Sequence, residues 1–400
     1  MYKKKELYSV EEFLKKDEQE GYFIVFKDDI YDDNYILDLI NATKYTDTEY
    51  IIYCNYNDKE ISFEFVDDRN TREETLYDLS KVKPVDVLEK ANRLKKGFAI
   101  PYLVTNEDTT NSEKELAVII PVYNNGKYLR DRAIRSLLRS SIFSIMQIYI
   151  IDDGSTDGET RKYIDEIMSE YDNIKAFFFN DGGSGSASRP RNKGVEISKE
   201  KYITYLDPDN EAINDGYAIL LDDIKEKNVD FAFGDIIKVG NTISPLCFEY
   251  ENKLIKSPKE ELIAKKFKTN SIQACVIKRE LIEKNVIENP VGAIGQDTMF
   301  FYELMLNSKK TYHRCLPIHI YYAQRGASVV NDIEKKFFDK SYIMEKYQSN
   351  QLKKYGVFEE YKNEKFKQFY NEWYLEKLKL VKEDIDKCEK IVESIFDLYN

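Results

Sequence analysis

The sequence predicts an α/β protein built on a mostly parallel sheet with helices on both faces. Three stretches carry that prediction. Leu116-Ala117-Val118-Ile119-Ile120-Pro121-Val122-Tyr123 is an unbroken apolar run that stops at Asn124-Asn125-Gly126. Gln147 to Ile151 is a second run, ending in Asp152-Asp153-Gly154-Ser155, and Tyr202-Ile203-Thr204-Tyr205-Leu206 ends in Asp207-Pro208-Asp209-Asn210. Continuous apolar runs suit strands covered on both faces, and the helical patterns between them make βαβ units. Sheets of this kind bind ligands beyond the carboxyl ends of their strands, where these runs place carboxylates and turn residues.

At 400 residues the chain exceeds what one core usually organises. Residues 1–105 read as a small N-terminal α/β accessory domain, with strands at Tyr22–Phe26, Glu49–Cys54 and Ile61–Val66 and helices at Asp33–Ala42 and Val82–Lys96. No catalytic motif falls in it. The polar stretch 106–115 is a linker, 116–330 the catalytic domain, and 331–400 a helical C-terminal region rich in Lys, Glu and aromatics. That tail suits a packing or homo-oligomerisation element.

The net charge of −12 argues against a nucleic-acid partner, because neutralising a phosphate backbone needs a basic face. The five cysteines lack CxxC spacing, which excludes a zinc ribbon and fits a reducing compartment. No leader-like apolar segment follows Met1, and no apolar run reaches the ~20 residues of a membrane span. The expectation is a cytoplasmic protein without a transmembrane segment, compatible with peripheral association at the inner face of the cell membrane.

Within the central domain, Gly126–Ser140 has helical spacing, with Leu129, Ala133, Ile134, Leu137 and Leu138 on one face. Arg132, Arg135 and Arg139 fall opposite and read as a solvated face. A helix over Asp157–Tyr171, a strand over Ile174–Phe179 and a Gly/Ser loop from Asn180 to Ser188 follow. The loop opens a helix bearing Arg189, Arg191, Asn192 and Lys193. Asn214–Lys227 reads as a helix and Val229–Ile237 as a strand. Ser271–Ile277 is a further strand, Thr298–Leu306 a helix, and Pro317–Tyr322 a last strand before Gln324-Arg325-Gly326-Ala327-Ser328.

The chemistry concentrates in four places. Asp207 and Asp209 can offer oxygen ligands to a hard divalent cation, which usually completes its shell with water and phosphate; a plain turn is the competing explanation. Asp153 can accept from a nucleobase imide or a ribose hydroxyl, while Asp157 suits a helix cap. The Gly/Ser loop, with its helix N-terminus and Arg189, Arg191 and Lys193, suits an anionic diphosphate or a simple surface loop, but has neither P-loop nor GxGxxG spacing. Asp297 can serve as general base or as an N-cap. His313 and His319 lack metal-ligand spacing and read as structural.

Taken together and in this order, Ala117–Asn125, Ile151–Asp157, Arg191-Asn192-Lys193-Gly194, Tyr202–Asn210, Gly295–Phe301 and Tyr321–Ser328 resemble a family 2 glycosyltransferase of the GT-A fold. The resemblance spans roughly residues 115–330. It implies a bacterial inverting enzyme that takes sugar from a UDP-sugar (glucose, galactose, GlcNAc or GalNAc) to a hydroxyl of a glycan, lipid-linked, wall-polymer or glycoprotein acceptor. It implies further that Pro121, Tyr123, Asn124, Asp153, Arg191, Asn192 and Asp207 line the nucleotide-sugar site and that Arg325 and Ser328 close over the diphosphate. Asp209, with Asp207 as a second candidate, would bind Mn²⁺ or Mg²⁺, and Asp297 would be the catalytic base. Two positions depart from the common pattern. Gln296 stands where many relatives carry Glu, and Arg325 lies where some carry a metal-binding His. The alternative is a non-catalytic carbohydrate-binding or scaffolding protein that retains the fold.

Overall fold

The computed structural model describes residues 113–240, 243–323 and 333–400, together with five strands in the N-terminal part. Those strands are β1 (Tyr22–Ile24), β2 (Tyr50–Asn55), β3 (Phe65–Val66), β4 (Thr75–Asp78) and β5 (Gly97–Tyr102). They form one mixed sheet in the order β1-β4-β2-β5-β3. The helices expected at 33–42 and 82–96, and the positions Arg325 and Ser328, lie outside the described residues.

A ten-stranded sheet organises the rest. Its nucleus is β6 (Leu116–Val122), flanked by β7 (Met146–Asp152) and β9 (Tyr202–Tyr205), both parallel to it. Beyond β7 lies β8 (Ile174–Phe178), also parallel. On the other flank β14 (Cys275–Lys278) runs antiparallel to β9 and to β11 (Phe231–Val239). Outside β11 comes the long β15 (Thr311–Tyr322), parallel to it, with β10 (Glu211–Ala212) closing the edge. Two short strands, β12 (Ile243–Leu246) and β13 (Lys253–Ile255), add to β11 and β15. The sheet is thus mostly parallel along its main path, as expected, with antiparallel additions on one side.

Why β6 is a central strand follows from its composition. Leu116, Val118, Ile120 and Val122 enter one apolar core while Ala117 and Ile119 enter the other. Alternate side chains leave a strand on opposite faces, so a run with no polar residue fits only where both faces are covered. One cover is α1 (residues 126–137), α2 (Thr160–Glu170) and α4 (Gly216–Glu226). The opposite cover includes α3 (Ser188–Ile197), where a Cβ on Gly194 would lie 2.3 Å from Ile119 Cγ2. Only a glycine lets this helix approach β6 so closely.

On that second face also sit α5 (Pro258–Ala264), α6 (Arg279–Asn285) and α7 (Gln296–Asn307). The C-terminal helices complete it: α8 (Lys335–Lys354), α9 (residues 358–378) and α10 (Ile385–Asp397). Phe337, Phe338, Met344, Tyr361, Val392 and Ile395 join the same core as Ile119, Tyr205 and Phe300. The tail therefore packs onto the sheet. No helix among the described residues is long and apolar enough to cross a membrane.

Candidate active site

The carboxyl ends of β6, β7 and β9 open on the same edge, since all three strands are parallel. Each delivers a different kind of group. Pro121 is the second-last residue of β6, and past its end come Tyr123, which is partly exposed, and Asn124 in the left-handed conformation with φ of 54°. Asn tolerates that geometry better than most residues. Its backbone N–H donates to Ser155 Oγ at 2.8 Å, and its Oδ1 accepts from the Thr156 and Asp157 amides at 2.8 and 3.2 Å. Asn124 thus holds the loop after β7 in place.

At the end of β7 the two aspartates divide the labour. Asp152 accepts from the Ser155 amide and hydroxyl, while burial, the largest influence, raises its carboxyl above the usual range. Asp153 is buried and faces the Gly/Ser loop. Its Oδ2 accepts from the Ser184 amide at 2.8 Å and the Ser184 hydroxyl at 2.7 Å, and its Oδ1 from Arg189 Nε at 2.7 Å. The Arg189 guanidinium also pairs with Asp181 and lies 4.0 Å from the Phe179 ring centre. Asp157 caps α2 from three residues upstream, accepting from the Thr160 amide at 3.0 Å.

The Gly/Ser loop is pinned at several points. A Cβ on Gly183 would meet the Tyr123 ring at 2.7 Å, and one on Gly154 would meet the Gly182 amide at 2.9 Å. Both glycines have positive φ, which favours glycine. From α8, Lys340 donates to the Gly185 carbonyl. Of the three cations expected to face a diphosphate, Arg189 is engaged with Asp153 and Asp181, and Lys193 with Glu196. Only Arg191 turns toward the Asp207 turn.

Arg191 is buried, and its Nη2 donates to Asp207 Oδ1 at 2.7 Å. Burial pulls its guanidinium down, but the charges of Asp207 and then Asp297 outweigh that effect and leave it raised. One buried cation therefore answers to two carboxylates from distant parts of the chain. Tyr321, at the end of β15, responds to the same pair: its phenol is pushed up by burial first, then by Asp297 and Asp207. Asp297 lies in the first turn of α7, and the N-cap position belongs to Gly295 at φ 78°. The N-cap role considered for Asp297 is thus filled by another residue.

Sequence reasoning missed Gln273, which sits in a 3-10 turn (Ile272–Ala274) ahead of β14. The continuous strand expected over Ser271–Ile277 is broken there. Gln273 Oε1 accepts from the Asp207 amide at 2.8 Å and from Asn210 Nδ2 at 3.1 Å, while Nε2 donates to Asp207 Oδ2 at 3.0 Å. Both carboxylate oxygens of Asp207 are therefore held by protein groups. Asn192 performs a similar tie elsewhere. Its side chain bonds the Asn289 carbonyl and amide at 2.8 and 2.9 Å, fixing α3 to the chain leading toward α7.

The arginines of α1 do not form the solvated face expected of them. Arg132 Nη1 donates to the Asp209 carbonyl at 2.8 Å, and Arg139, just past α1, pairs with buried Glu211 at 3.7 Å; of the three expected on that face only Arg135 is exposed. Both histidines are buried. His313 Nε2 lies 2.9 Å from Asp235 Oδ1, and His319 is fully buried, with burial pushing its ring down to about 4. Among the described residues no three His, Cys, Asp or Glu side chains converge as a metal cage.

The family profile of Glycosyl transferase family 2 matches residues 117–285. The chain is 30% identical over 201 residues to the poly(ribitol-phosphate) beta-N-acetylglucosaminyltransferase TarP of Staphylococcus aureus, covering 49% of this chain and 59% of that one. It is 28% identical over 224 residues to the uncharacterized glycosyltransferase YibD of Escherichia coli, covering 53% and 62%. The chain thus spans about three fifths of the length of these relatives. The fold is similar to that of S. aureus TarS residues 1–349 in complex with UDP-GlcNAc, with a TM-score of 0.51 at 15% identity over 71% of this chain and 89% of that one.

Proposed function

We propose that this chain, whose residues 117–285 match glycosyl transferase family 2 and whose fold is of the GT-A type, is an inverting glycosyltransferase moving sugar from a UDP-sugar to a hydroxyl of a carbohydrate acceptor. The observation that carries the proposal is the buried Arg191, which donates to Asp207 Oδ1 at 2.7 Å at the end of β9 and also lies within reach of the Asp297 charge. The Asp207 turn and the first turn of α7 thus each bring a carboxylate to one buried cation. The relatives' names make UDP-GlcNAc the first donor to test and an envelope polymer the first acceptor.

In this reading the uridine lies beside Pro121, Tyr123 and Asp153, with Asn124 and Asn192 holding the surrounding loops. Arg191 and Gln273 fix Asp207 near the ribose and diphosphate, and the family resemblance assigns Arg325 and Ser328 to the diphosphate. Since Asp207 has both oxygens engaged, a divalent cation would rest on Asp209, with phosphate oxygens and water as its other ligands. That donor set fits Mg²⁺ or Mn²⁺, which commonly bind through one or two carboxylates plus phosphates. When bound, the ion neutralises charge on the departing diphosphate. Asp297 removes the proton from the acceptor hydroxyl. The oxygen then bonds to the anomeric carbon as the carbon–phosphate-oxygen bond on the opposite face breaks, so configuration inverts.

The test is release of UDP from UDP-glucose, UDP-galactose, UDP-GlcNAc and UDP-GalNAc with Mn²⁺ and carbohydrate acceptors. Asp297→Asn should lower turnover by about 10²–10⁴ while leaving UDP affinity unchanged. Asp209→Ala should weaken UDP binding only when the metal is present. Parallel loss of turnover and UDP binding in Asp297→Asn would refute the base assignment. Wild-type protein that binds UDP or glycans but releases none from any donor would favour the scaffolding alternative.

A further inference from the structure

Arg132 belongs to none of the strand-end motifs, yet it touches two pieces of the site at once. Its Nη1 donates to the Asp209 carbonyl at 2.8 Å, and its guanidinium lies 4.0 Å from the Tyr322 ring centre and 4.8 Å from that of Tyr128. Tyr322 is in turn bound to the same turn as Asp209. Its amide donates to Asn210 Oδ1 at 3.2 Å and its hydroxyl to Glu211 Oε1 at 3.0 Å. The Asp207–Glu211 segment and the end of β15 form one unit, and the arginine fork locks it to α1.

Arg132 sits in an irregularly wound stretch of α1. Leu129–Ile134 is π-helical, so each turn takes more residues than the 3.6 of an α-helix. Side chains past the start of that segment are rotated out of α-helical phase. Arg132 lies within this segment, and its guanidinium is turned toward the Asp209 loop.

We propose that Arg132 is a positioning residue for Asp209. It fixes the backbone carbonyl of that residue through a charge-assisted hydrogen bond, while two aromatic rings hold the guanidinium plane. The carboxylate of Asp209 is thereby aimed at the cation and diphosphate. This assignment rests on the glycosyltransferase reading given above. Lysine cannot replace arginine here, because a point ammonium lacks the planar fork that bonds and stacks together.

UDP titration calorimetry on the full chain, with Mn²⁺ and separately with EDTA, tests it. Wild-type protein should bind UDP more tightly with Mn²⁺. Arg132→Met should lose about tenfold of the Mn²⁺-supported affinity, the scale of one charge-assisted bond, and keep the EDTA value. Arg132→Lys should fall between the two. Tyr322→Leu, which removes one wall of the stack, should shift in the same direction and serves if Arg132→Met does not fold. Wild-type affinity in these variants, or an equal fall with and without Mn²⁺, would overturn the assignment while leaving the glycosyltransferase reading intact. Failure of wild-type protein to bind UDP in either condition would overturn both.

Discussion

Exchanging Glu303 for glutamine should change how the fold responds to alkali. Glu303 sits on α7, two turns after Asp297, and is only 1% exposed. Its Oε2 accepts from the Tyr347 hydroxyl at 2.9 Å and its Oε1 from the Tyr355 hydroxyl at 3.3 Å, tying α7 to α8 and the residue that ends it. Burial pushes the carboxyl from 4.5 up to about 7, against the pull of the two tyrosines. The native state therefore holds the proton more tightly than the unfolded chain. The associated stability is fully present below about 4.5 and is lost as pH rises through about 7. A shift from 4.5 to about 7 corresponds to about 3 kcal/mol at roughly 1.4 kcal/mol per unit. Glu303→Gln is neutral at every pH and similar in shape, so it should match wild type near pH 4.5 and exceed it by about that amount at pH 8.5. Denaturant titration followed by fluorescence of the single tryptophan, Trp373, reads the difference directly, because Trp373 packs in the same helical layer. A variant whose deficit or gain is the same at both pH values would refute the reasoning.

Two further perturbations have defined outcomes. His319 is depressed from 6.5 to about 4 by burial, so its contribution is fully present above 6.5 and lost as pH falls toward 4; His319→Leu should remove that acid-side loss, about 3 kcal/mol, in the same denaturation assay. Gly194→Ala forces a methyl to within 2.3 Å of Ile119 Cγ2 and should cost about 1–3 kcal/mol of stability. It should also weaken UDP binding, because the displaced helix carries Arg191, which would show in a UDP titration at constant temperature.

Much of this architecture is legible in the chain because burial leaves a plain mark on composition. β6, β7 and β9 are read correctly from their unbroken apolar runs, since only a doubly covered strand accommodates such sequences. The acidic strand ends are equally visible, as carboxylates beside Gly and Pro are what a ligand-facing turn requires. What stays hidden is side-chain traffic between distant segments. Gln273 stands in an apolar stretch that looks like any strand, and nothing local signals that its amide braces Asp207, 66 residues away. Arg132 is misread because a helical pattern shows that it lies off the apolar face but not that the Asp209 turn and Tyr322 cover that side. Arg189 is hidden for another reason: a cation at the start of the helix behind a Gly/Ser loop looks ready for phosphate, and its pairing with Asp153 and Asp181 has no local signal.

The most direct test of the account is a crystal structure of the protein with UDP-GlcNAc and Mn²⁺. The prediction is uridine against Tyr123 and Asp153, diphosphate at Asp209, and the Asp297 carboxylate facing the anomeric carbon from the side opposite the diphosphate. Nucleotide bound elsewhere, or Asp297 directed away from the sugar, would contradict it.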